Sequence, residues 1–190
     1  DSLIEFRKVL KDTTVADFLD SGASIREMRN DEAPQLKELV SRCYSEYRNH
    51  YFENPSLNPE TVLDGLTEFS QGFLSTDNRT VLVATHAGIA CGYLCMEIRD
   101  GCGSSVIGGS ALDIPQALRH KILCDLTHHG DRWLMERHVK RFKAVTRLEK
   151  TYIQKLLIHN MHCLPARSLV TMHLNLFLHK MKDSISAEAT

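Results

Sequence analysis

The chain has 190 residues, 43% of them hydrophobic and 25% charged, with 23 basic against 24 acidic side chains and a formal net charge of -1. Such a chain buries a real core as one domain, or one domain with an appendage, which excludes disordered and collagen-like classes. Its balanced charge gives no global attraction for nucleic acid or an anionic membrane, and no apolar run approaches the roughly 20 residues that span a bilayer. No signal-peptide pattern opens it, so a cytoplasmic protein is expected.

Residues 1–23 carry Leu3, Ile4, Phe6, Val9 and Leu10, then Val15, Phe18 and Leu19, spacings that suit one or two short amphipathic helices. An N-terminal helical extension is therefore predicted, capping the domain or holding a partner. The main domain is expected over 24–182, with 183–190 as a polar tail. It opens on a short strand at 24–29, after which Asn30-Asp31 caps a helix whose buried face is Leu36, Leu39, Val40, Cys43, Tyr44 and Tyr47. Its aromatic end, Tyr44, Tyr47, Tyr51 and Phe52, runs into a proline-bearing loop of the kind where specificity is placed. A second helix is predicted from 59 or 60 to 73 or 74.

Residues 81–97 organise the rest. Two apolar, β-rich runs flank a short break ending in Gly88, which reads as an antiparallel hairpin. Gly92 in mid-strand marks a bulge or the close approach of another group. A tight turn at 99–105 leads to a strand at 106–114 that contains Gly108-Gly109, a pair suited to a bulge or a splayed edge. Pro115 ends it. A long helix follows at 116–137, then a strand at 139–146, a short helix at 149–159 with Asn160 at its left-handed C-terminal position, and closing strands at 161–164 and 169–176 around a turn at 165–168.

Six cysteines without a repeated short spacing read as reduced thiols. The pairs and triplets His128-His129 and His159, His162, Cys163 match no established ligand spacing, so no metal is expected. The basic run His138, Lys140, Arg141, Lys143 and Arg147 is a solvated face or a phosphate or coenzyme contact.

The phrase Val83-Ala84, Gly88, then Gly92-Tyr93, set in the order β, α, α, three-strand meander, α, β, α and closing strands, resembles the GNAT superfamily of N-acetyltransferases. The resemblance covers about residues 24–182. It implies a mixed α/β (α+β) fold with a mostly antiparallel sheet, a splayed central strand pair and helices on both faces. It implies an N-acyltransferase that moves an acetyl or other acyl group from acetyl-CoA (acyl-CoA) to a small-molecule or peptide amine, with a homodimer as its assembly.

On this chain the resemblance implies Leu112 and Ile114 as backbone contacts to the thioester, and Arg119, His120, Lys121 and Ile122 at the pyrophosphate. Tyr44, Tyr47 and Phe52 would shape the acceptor pocket. Glu97 or Asp113 is the candidate base. The family acid is a tyrosine whose slot here holds Leu156, and Tyr152, one turn earlier, is the candidate. The family's Q/R-x-x-G-x-G/A phrase is altered: from Gln116 or from Arg119, the first glycine slot holds a larger side chain. Arg119, His120 and Lys121 then supply charge in place of bare amides, or the fold is a catalytically inactive binding module. Cysteine-nucleophile chemistry at Cys91, Cys95 or Cys124 ranks well below both, because the sequence places no histidine beside them.

Overall fold

The structure is a computed structural model that describes residues 2–45, 58–74 and 76–170. In chain order its elements are β1 (Ser2–Val9), β2 (Ser24–Glu27), α1 (Ala33–Tyr44), α2 (Pro59–Gln71), β3 (Arg79–His86), β4 (Ile89–Arg99), β5 (Cys102–Ser110), α3 (Gln116–Glu136), β6 (Arg141–Arg147), α4 (Thr151–Lys155) with a π-helical turn Leu156–Asn160, and β7 (Leu164–Val170). The strands form one sheet in the order β2-β3-β4-β5-β6-β1-β7. Every neighbouring pair is antiparallel except β5 and β6, which run parallel. Among the described residues no helix is long and apolar enough to cross a membrane.

Period-two alternation assigns the side chains of this sheet to two cores. Leu82, Ala84, Leu94, Met96, Phe142 and Phe6 point to α3, where they meet Ile122, Leu126, Trp133 and Leu134. Val81, Val83, Tyr93 and Cys95 point the other way, to Leu36, Leu39, Val40 and Tyr44 of α1. The central hairpin is thus covered on both faces. Its two-residue turn, Ala87-Gly88, has positive φ at both positions, 50° and 80°, the mark of a type I′ turn that matches strand twist. Gly92 is there for close approach: an added Cβ would lie 2.7 Å from Ile122 Cγ2 and 3.2 Å from the Gly109 carbonyl.

Three expected elements differ. The N-terminal helix is instead β1, inserted between β6 and β7. Ile4, Phe6 and Lys8 turn inward, and the alternation is masked in the sequence because Lys8, a charged residue, occupies a core position at 8% exposure. The strand expected at 106–114 is shifted to Cys102–Ser110, because the turn Asp100-Gly101 has positive φ at both residues, 53° and 67°, and starts the ladder at once. It ends early because the Leu112 amide donates to the Arg42 carbonyl (3.1 Å), drawing the chain off the sheet toward α1. Finally, residues 165–168 continue β7 in place of a turn, as an edge strand tolerates Pro165. The strand expected at 169–176 lies mostly outside the described residues, as do Tyr47, Phe52 and the 183–190 tail.

The entry to α1 carries a testable pH effect. Glu32 accepts from both terminal nitrogens of Arg26 (2.7 and 2.6 Å) and from the Arg29 amide (2.8 Å). The Arg26 hydrogen bonds, then that amide, hold its carboxyl down from 4.5 to about 2. A carboxyl whose pKa is lowered on folding adds stability above its unfolded value and loses it as pH falls through the folded one. Glu32→Gln is therefore expected to cost about 1–2 kcal/mol at neutral pH, discounted for the half-exposed Arg26. It should also flatten the loss of melting temperature between pH 4.5 and about 2, read by calorimetry.

Candidate functional site

The parallel ladder between β5 and β6 has three rungs, Gly103↔Phe142, Ser104↔Lys143 and Ser105↔Ala144. Beyond Ser105 and Ala144 the strands part. The cause lies in β5: its register against β4 shifts between Cys95 and Met96, leaving Val106 as an extra residue, and such a bulge bends its strand. Gly108 and Gly109 follow in the diverging half. A Cβ on Gly108 would sit 2.6 Å from the Tyr93 carbonyl, and the Gly108 carbonyl accepts a hydrogen bond from Tyr44 Oη (2.9 Å). The opened stretch of β5 is thus tied to α1.

Helices α3 and α4 follow the two diverging strands and flank the gap. The first turn of α3, behind Pro115, has amides without intrahelical partners. Arg119 lies in this turn, and its Nε is buried without a hydrogen-bond partner. His120 Nδ1 lies 2.7 Å from Tyr152 Oη, a hydrogen bond that joins α3 to α4. Lys121 is exposed, whereas Ile122 is fully buried against the sheet, so its side chain belongs to the core. Leu156, in the slot of the family tyrosine, is likewise a core residue.

The two candidate bases sit in different settings. Asp113, in the loop between β5 and α3, is held by both Nε and Nη2 of Arg42 (3.0 Å each), and that pairing lowers its pKa. Arg42 also donates to the Ala90 carbonyl (2.7 Å), so it ties α1, β4 and the loop together. The Leu112 amide, taken by the Arg42 carbonyl, is engaged. Glu97 lies 3.5 Å from Arg79 Nε on the face that carries α1 and α2. It shares one rung of the sheet with Ser104, Lys143 and Arg7, next to the rung where the gap opens.

Cysteine chemistry is not supplied here. Cys124 Sγ lies 3.8 Å from His120 Nε2, but burial pushes its thiol up to about 12, and burial also raises Cys91 and Cys95. A protonated thiol is a poor nucleophile. The Arg42–Asp113 and His120–Tyr152 pairings, 71 and 32 residues apart in the chain, left no signal in the sequence, because neither pair shares an element.

A mostly antiparallel sheet whose single parallel pair parts in front of two helix starts defines the fold of the GNAT N-acetyltransferases. The comparisons agree on that fold. A conserved Staphylococcus epidermidis protein of unknown function superposes with a TM-score of 0.61 at 8% identity, over 88% of this chain and 58% of that one. The aminoglycoside N-acetyltransferase AAC(6')-Iy, solved with the bisubstrate analogue CoA-S-monomethyl-acetylneamine, gives 0.58 at 14% identity, over 80% of this chain and 98% of that one. A Novosphingobium aromaticivorans acetyltransferase of the GNAT family gives 0.53 at 10% identity, over 88% and 60%. The chain therefore spans less than two thirds of the first and third of these proteins. No protein-family model and no curated protein sequence matches it.

Proposed function

We propose that this protein is an N-acyltransferase that moves an acyl group, acetyl in the first instance, from acyl-CoA to an amine. One observation carries the reading: β5 and β6 separate after Ser105 and Ala144, in front of the free first-turn amides of α3. A gap of this kind accepts a pantetheine chain against exposed backbone, and a helix N-terminus accepts its pyrophosphate. The unpartnered Arg119 Nε is the local cation that fits that anion where the family has glycine. In the reaction the amine nitrogen bonds to the thioester carbon and the C–S bond breaks. Glu97, directly or through water, takes the ammonium proton, and Tyr152 returns a proton to the thiolate. A cytoplasmic enzyme acting on a small-molecule or peptide amine, and assembling as a homodimer, is the form we propose.

The larger side chains at the glycine slots and the His120–Tyr152 bond between the helices favour a second reading, a GNAT-fold binding module without catalysis. Titration calorimetry with acetyl-CoA and with CoA separates the two. The transferase reading expects micromolar binding that Arg119→Ala weakens about tenfold. Absence of heat or of a thermal shift at millimolar ligand rejects it and leaves the binding module.

A further inference from the structure

On one side, β6 and β1 bury Phe142, Ala144 and Phe6 in the core that α3 shares with Leu156, Leu157 and Met161 of the π-helical segment. On the other side, among the described elements, α1 packs on β4 and β5 and α2 meets β4 through Ser70, which lies by Tyr93 Oη and Cys95 Sγ. The face of β6, β1 and β7 on that side is basic. Phe142 and Ala144 point to α3, so Arg141 and Lys143 point away from it, and so does Arg7, between Phe6 and Lys8. Together with Arg99 they line a groove of about 660 Å³, whose floor is completed by Val9 and Pro165. Asp100 is its single acid, and the Arg141 guanidinium is steadied on the Asp100 carbonyl (3.1 Å). Arg99, Arg141, Lys143 and Arg7 stand against Asp100; Arg7 is also paired at Nε with Glu5 of its own strand, and Lys8, which borders the groove, turns to Asp131, so a net excess of cations remains in a chain whose net charge is -1.

The groove is aligned with the acyl-transfer site. Lys143 stands one rung before the last of the ladder and on the face that holds Glu97, with one strand between them. Strand spacing puts Glu97 and Lys143 on the order of 10 Å apart and Arg7 one strand further. An extended molecule with an amine at Glu97 therefore lays its far end on Lys143, Arg7 and Arg141. Arginine forks and a lysine ammonium recognise carboxylate and phosphate oxygens and repel a polycation.

We infer that the acyl acceptor of this protein is an anionic amine, whose carboxylate or phosphate groups are held in this groove while its amino group faces the gap between β5 and β6. The inference rests on the transferase reading. The reaction forms the N–C bond, breaks the C–S bond and releases CoA thiol, with the amine's surplus proton leaving through Glu97.

The whole chain is titrated with glutamylglutamate, with O-phosphoethanolamine and with neamine, at low and at high salt, and separately with acetyl-CoA. At least one of the two anionic amines is expected to bind, less tightly at high salt, and neamine to give no heat. The double variant Arg141→Glu, Lys143→Glu should weaken the anion at least tenfold, and Arg141→Gln, Lys143→Gln by an intermediate factor. Acetyl-CoA binding should be unchanged in both, which also reports that they fold. Which anion binds separates carboxylate from phosphate recognition. With acetyl-CoA binding intact, the proposal alone is overturned by failure of both anions at millimolar concentration, by equal binding to the charge-reversed variant, or by tighter binding of neamine. If the wild type does not bind acetyl-CoA, the transferase reading fails and the acceptor role fails with it, whatever the anions do.

Discussion

Asp131→Ala is expected to lower stability by about 3–5 kcal/mol, or on the order of 10–15 °C in melting temperature for a chain of this size. Asp131 is fully buried on α3, and its Oδ2 lies 2.5 Å from the Lys8 ammonium of β1. The same ammonium donates to the carbonyls of Thr14 (2.9 Å) and Met161 (2.8 Å), and the same carboxylate oxygen accepts the Ala16 amide (2.7 Å). Truncation leaves a cation in the core facing carbonyls alone, and an amide unpaired. The cost is that of stranding a buried charge, not the worth of the pair, so Lys8→Met with Asp131→Leu should recover most of the loss. Thermal unfolding of the two single variants and the double checks this. A melting temperature for Asp131→Ala within about 1 °C of wild type would show that the pair is not what holds β1 in the sheet.

A second large effect is expected in catalysis. Tyr152→Phe should reduce kcat roughly a hundredfold while acetyl-CoA binding stays within about twofold, as for loss of a general acid. Burial raises the Tyr152 phenol above its ordinary pKa, so it holds its proton through the neutral range and is available to protonate the thiolate as the C–S bond breaks. His120, 2.7 Å away, is placed to reload it. His120→Ala should therefore lower kcat less than Tyr152→Phe does. Steady-state thiol release gives both numbers. A Tyr152→Phe variant with kcat within threefold of wild type would remove the tyrosine from the proton path and leave water as the acid.

Fastening of the N-terminal segment shows why parts of the fold were out of reach of the sequence. After β1 the chain has no ladder of its own; the Leu10 and Asp17 amides donate to the carbonyls of Lys140 and Asn160, and others are met by side chains of α3. Asp125 takes the amides of Leu19 and Ser21 (2.7 Å each), Asp131 takes that of Ala16, and His128 Nδ1 lies 2.7 Å from the Ala16 carbonyl. Buried backbone groups must be paired somewhere. Here the partners are more than a hundred residues away, so the apolar spacing of Val15, Phe18 and Leu19 read as a helix when the segment is an extended strap. The site divides in the same way. The glycine pair in the diverging strand and the start of the long helix were legible locally, whereas the Arg42–Asp113 clamp and the His120–Tyr152 bridge were not.

Local patterning by itself determined the α1 and α2 faces, the hairpin with its turn at Ala87-Gly88, the long helix after Pro115 and the order of elements that marks a GNAT-like sheet. Those features follow from side-chain period, turn residues and helix stops, all of which act within a few positions of one another. Only the tertiary structure decided that Ser2–Val9 is a strand, that it lies between β6 and β7, and that it completes a basic face beside the opening. A lysine can occupy a core position, and a strand can enter the middle of a sheet, when charge and backbone partners arrive from the far end of the chain. That pairing energy is nonlocal, and no window of sequence contains it.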